Sequence, residues 1–146
     1  MTPTPAGTGM GMTRNFKLGL ILAISTVSVV LDQWTKALAD EALRAKAPIE
    51  YWDGVVRFVH ASNIGAWGSL GASWPTPLRF AALVILPIGA LGWITWQVVS
   101  SPASVRWQVV SVALFVGGGT GNLIDRVVRG WVLDFVIVGW GKWWNT

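Results

Sequence analysis

Asp125 and Asp134 stand nine positions apart in the stretch Gly117–Phe135, GGGTGNLIDRVVRGWVLDF, directly after a long uncharged run. Carboxylates of this kind suit acid–base proteolysis, in which one acid activates water while a second protonates the carbonyl oxygen. Ionisable groups at the edge of an apolar segment are costly, which marks such positions as functional. The two acids have different neighbours. Arg126 adjoins Asp125 and would hold it ionised through charge-assisted hydrogen bonds, so Asp125 makes a poor proton shuttle. Asp134 lies between Trp131-Val132-Leu133 and Phe135-Val136-Ile137-Val138, an apolar setting that favours the protonated acid. Gly130 is an expected turn between them, so the two acids need not share a helix face. Asp134 is the better general acid or base, and it needs a partner carboxylate.

Other polar clusters border the apolar runs: Asp32 and Gln33 with Lys36, Asn63 with Gly65, and Asn122 with Asp125 and Arg126. Lys36 follows Asp32 by four positions, so on a helix the two share a face and pair. Any one cluster could simply cap a helix or anchor an interface. Together with Asp134 they fall at one depth, which points to a shared site. The glycines at 117, 118, 119 and 121 would let helices pack closely. With no preceding strand and no phosphate-loop lysine they do not form a nucleotide site. The chain has no cysteine and a single histidine, His60, which excludes a thiol nucleophile, disulfides and a zinc centre built on that histidine alone. The basic residues are scattered rather than gathered into a stripe, so no nucleic-acid partner is expected.

The elements that must position these residues are membrane helices. Of 146 residues 53% are apolar and 12% are charged, with a formal charge of +4 and a mean hydropathy of +0.53, a balance outside the range of soluble domains. Residues 1–15, rich in Pro, Gly and Thr, read as a disordered cytoplasmic tail. Apolar runs from Phe16 to about Trp34, Phe80 to Val99 and Trp107 to Ile124 are each long enough to cross a bilayer as a helix. Asp32 and Lys36 argue against a cleaved signal peptide, because they would place charges between its core and the cut. Arg14, Lys17 and Arg106 favour an amino terminus inside the cell, which puts Asp125 and Asp134 on the outer side. The connection from Lys36 to Pro77 contains the period-two run Val55–His60, an expected strand. The expected fold is an all-α polytopic membrane domain over residues 16–146, with three transmembrane helices and a small extracytoplasmic β-sheet between the first and second.

Taken in order, Leu31-Asp32-Gln33-Trp34-Thr35-Lys36, Asn63-Ile64-Gly65-Ala66, Gly117-Gly118 through Gly121-Asn122-Leu123-Ile124-Asp125-Arg126, and Val132-Leu133-Asp134-Phe135 resemble the bacterial lipoprotein signal peptidase family, also called signal peptidase II. The resemblance implies a four-helix aspartyl protease of the bacterial inner membrane. Such an enzyme cuts diacylglyceryl-modified prolipoproteins before the lipidated cysteine, among membrane lipids, and works as a monomer without metal or organic cofactor. It implies that Asp134 is one catalytic aspartate. It makes Asp32, Gln33, Lys36, Asn63, Gly65, Asn122, Asp125 and Arg126 substrate-binding or site-supporting residues. Two departures stand out. Trp67-Gly68 occupies a place where the family shows a small residue and then phenylalanine. The family also continues into a Phe-Asn-x-Ala-Asp run opening a fourth helix, where this chain reads Trp143-Trp144-Asn145-Thr146. The second catalytic aspartate is therefore expected beyond these residues, with little proteolysis from the 146 residues alone. A second reading is a catalytically impaired membrane protein that binds lipoproteins or a partner through the same groove.

Overall fold

The computed structural model describes residues 11–140 and 143–144. Three helices carry the chain: α1 (Arg14–Leu43), α2 (Thr76–Ser100) and α3 (Arg106–Val128), each long and apolar enough to cross a membrane. The expected tail, residues 1–15, lies outside the described residues up to position 10, and α1 begins at Arg14. Thr13 sets that start, its hydroxyl accepting a hydrogen bond from the Phe16 amide, which satisfies one of the donors a helix leaves free at its first turn. At 30 residues α1 is about 45 Å long, well beyond the roughly 30 Å of a hydrocarbon core, so one end overhangs. In α2 the turn Ala81–Ile85 widens to π-helical form just ahead of Pro87. A proline ring has no N–H and crowds the preceding turn, and widening relieves both defects.

Small residues set the helix packing. A Cβ on Gly117 would collide with Ser28 of α1, one on Gly121 with the Asp32 carboxylate, and one on Gly119 with Leu91 of α2. Gly117 and Gly121 are one turn apart and face α1, so their bare surface lets α1 and α3 approach closely. Ser25 ties the same seam by donating to the Ala113 carbonyl at 2.8 Å. Ile21, Val99, Val109, Val112 and Ala113 form the buried core where the three helices meet. At that end Lys17 is buried, its ammonium reaching the Val98 and Ser101 carbonyls and the Ser104 hydroxyl. It thereby caps the carboxyl end of α2, where the helix dipole favours a cation.

At the opposite end lies an antiparallel sheet of β1 (Ile49–Tyr51), β2 (Val56–Asn63), β3 (Val132–Trp140) and β4 (Trp143–Trp144), ordered as numbered. The expected strand over 55–60 is β2. The sheet extends further than the connection between the first two helices, because β3 comes from the segment after α3. Gly130, at φ 82°, makes this possible. Just past Arg129, which caps α3, it takes the left-handed conformation that ends helices and suits glycine, and it turns the chain back along β2. Ala61 then pairs with Asp134 and Asn63 with Val132, after a register shift between Phe58 and Ala61.

Candidate active site

The sequence-predicted polar residues assemble into two neighbouring groups. The first is an ionic knot between α1 and α3. Lys36 Nζ lies 2.9 Å from Asp32 and 2.7 Å from Asp125 and donates to Asn122 Oδ1 at 3.0 Å. Gln33 reaches the Asp32 carboxylate, the Gly121 carbonyl and Asp125 at 3.0, 3.2 and 3.4 Å. Lys36 and Asp125 are almost wholly buried, their side chains 4% and 1% exposed. A buried charge needs a partner, and here one ammonium joins two carboxylates from different helices.

The structure corrects the pairing expected for Asp125. Its cations are Lys36 and, at 3.5 Å, Arg129. Consecutive residues on a helix do not face one another, so Arg126 points away and donates to the Gly65 carbonyl at 2.9 Å. Arg129, four residues after Asp125, was readable from helical spacing as a partner.

The second group surrounds Asp134. Asn63 Oδ1 accepts from the Gly65 amide at 2.8 Å. A backbone N–H can be satisfied only by the amide oxygen, so this bond fixes which way the Asn63 side chain faces. Asn63 Nδ2 is thereby turned toward the Ala66 carbonyl at 3.1 Å and Asp134 Oδ2 at 2.9 Å. Gly65 has no room for a side chain, since a Cβ would lie 2.7 Å from the backbone of Ser69 and Leu70. Its N–H serves Asn63 and its carbonyl serves Arg126, so one glycine links β2 to α3.

The apolar surroundings expected for Asp134 need restating. Side chains on a strand alternate between faces, so Leu133 and Ile137, both buried, lie on the face opposite Asp134. Asp134 itself is half-buried, shares its face with the buried Val132 and is held by a directional amide hydrogen bond. A cavity of about 130 Å³, with Arg126 in its wall, is lined by Ile64, Phe80, Leu83, Val84 and Arg79, among others. The Arg126 Nε in its wall is buried, with no hydrogen-bond partner among the described residues.

This arrangement coincides with a family pattern: the model of signal peptidase II matches residues 24–146. The chain belongs to the signal peptidase II family. Among its relatives, the lipoprotein signal peptidase of a Sulfurihydrogenibium species is 39% identical over 84% of this chain and 75% of its own length. That of Thermosynechococcus vestitus is 32% identical over 88% and 81%, and that of Mycolicibacterium smegmatis 32% over 89% and 55%. Two solved bacterial membrane enzymes, each 23% identical, share the fold with TM-scores of 0.68 and 0.61. They cover 83% and 82% of this chain and 71% and 74% of their own.

Proposed function

We propose that this signal peptidase II chain is an aspartic endopeptidase that removes the signal peptide from diacylglyceryl-modified prolipoproteins, with Asp134 as one carboxylate of the dyad. The Asn63–Asp134 hydrogen bond carries the reading. The amide donates to one carboxylate oxygen, which leaves the other free to take a proton from an attacking water. Arg126 and the cleft beside it are assigned to the substrate backbone and its apolar residues. Asp32, Gln33, Lys36, Asn122 and Asp125 are assigned the task of holding α1 against α3 beneath the site. The partner acid is assigned to the family's Phe-Asn-x-Ala-Asp run, which does not occur in the 146 residues. The chain sits in the bacterial inner membrane with its amino terminus in the cytoplasm and Asp134 on the outer side, as a monomer.

The test is cleavage of a lipid-modified prolipoprotein by membranes holding the chain translated through its downstream reading frame, compared with the same product carrying Asp134→Asn. Loss of cleavage to background in the variant is expected. Full cleavage by it would remove Asp134 from the mechanism.

A further inference from the structure

His60 is the only histidine of the chain, and neither the ionic knot nor the Asn63–Asp134 bond uses it. It precedes Ala61, the residue paired with Asp134, and lies in the interval between Phe58 and Ala61 where the register of β2 against β3 shifts. A bulge of this kind interrupts the alternation of side chains and re-aims one of them. Here His60 Nε2 comes within 2.7 Å of Asp40 Oδ1 near the end of α1. Its ring also meets Trp131 edge-on, with centroids 5.9 Å apart. Trp131 lies between Gly130 and the first residue of β3, so one imidazole touches both the overhanging end of α1 and the entry to the strand that carries Asp134. Asp40 is also held by Arg44, whose Nε donates to the same Oδ1 at 3.2 Å and whose guanidinium also reaches Oδ2.

We propose that His60 is a positioning residue for Asp134. By joining Asp40 to Trp131 it locks the β2 bulge, and the locked bulge sets the register that brings Asn63 to Asp134. The inference rests on the reading of Asp134 as a catalytic acid. Its physical basis is the two-residue period of a strand: a slip of one position beyond the bulge would send Asn63 to the other face of the sheet. Beyond the bulge the ladder consists of the pairs Ala61–Asp134, Ser62–Leu133 and Asn63–Val132, and an outside anchor supplies what so short a ladder lacks. Asp40 is a suitable anchor because α1 is fixed against α3 by Lys36 one turn earlier.

The experiment uses the full product of the reading frame in lipid nanodiscs, with His60→Ala, His60→Gln and Asp40→Asn. Two quantities are read: amide hydrogen exchange over residues 58–63 and 132–136, and kcat and KM for a lipid-modified prolipoprotein. His60→Ala is expected to speed exchange in those segments about tenfold, with the helices unchanged. It should lower kcat about tenfold at constant KM, as expected when a group is misplaced for the chemical step alone. Glutamine can place an amide N–H near Asp40, so His60→Gln should restore both quantities to within about twofold. Combining His60→Ala with Asp40→Asn should add little to either change, because the two residues act through one bond. If His60→Ala does not insert, His60→Phe, which keeps a ring against Trp131 and lacks the donor, takes its place with the same expectations. Unchanged exchange in the alanine form, or a glutamine form as defective as alanine, overturns the proposal. If the wild-type product does not cleave, the catalytic reading of Asp134 falls, while the exchange data still decide whether His60 sets the register.

Discussion

Asn63 makes three hydrogen bonds through one side-chain amide, to the Gly65 amide, the Ala66 carbonyl and Asp134. Asn63→Ala should therefore cost twice over. Leaving these groups without a partner should lower stability by about 1–3 kcal/mol, and loss of the donor on Asp134 should reduce cleavage about 100-fold. Unfolding in mixed micelles and a cleavage assay at equal folded fraction separate the two effects. Lys36 offers a different test. Lys36→Met leaves Asp125, 1% exposed, with the longer contacts to Gln33 and Arg129, and should destabilise the protein by about 3–5 kcal/mol. Adding Asp125→Asn should recover much of that loss, because the uncompensated charge goes with it. A double variant as unstable as Lys36→Met would show that the ammonium matters for something other than its charge.

The element scale is governed by which face of α3 each small residue takes. Gly121 meets Asp32 and Gly118 meets nothing within 4 Å, although both are helical glycines three positions apart. Gly121→Ala should push α1 off α3, disturb the Lys36 knot and cost about 2 kcal/mol or more through overpacking. Gly118→Ala should be neutral or stabilise by up to about 1 kcal/mol, since alanine is the better helix former. Detergent titration of the two variants side by side checks this, and equal losses would mean that the glycines act through flexibility and not through contact. The same periodicity explains a difference between expectation and structure. Asp125 and Arg126 look like a pair in the linear sequence, yet about 100° of helical rotation between neighbours gives one to the knot and the other to Gly65.

Across the whole molecule, large apolar side chains such as Leu22, Leu86, Trp93 and Phe115 are more than half exposed on the helices. Packing within one chain leaves these faces uncovered, and a bilayer covers them. The absence of cysteine allows the proposed orientation to be tested with single introduced thiols. In intact cells Asp53→Cys, in the exposed turn between β1 and β2, should react with an impermeant thiol reagent, and Ala103→Cys, between α2 and α3, should not. The reverse pattern would invert the molecule. The three spans were legible from the sequence because hydropathy over some 20 residues reports solvation, which each segment meets largely by itself. The partners were not. Asn63 and Asp134 are 71 positions apart and meet because Gly130 turns β3 back along β2. Asp40 meets His60 across 20 positions through a bulge with no recognisable mark in the sequence. The amino-acid sequence by itself determined which segments are apolar enough to cross a membrane and that acids follow the last of them. Only the tertiary structure decided which groups hold those acids, because side-chain pairing depends on helix rotation and strand register, and a shift of one residue reverses either.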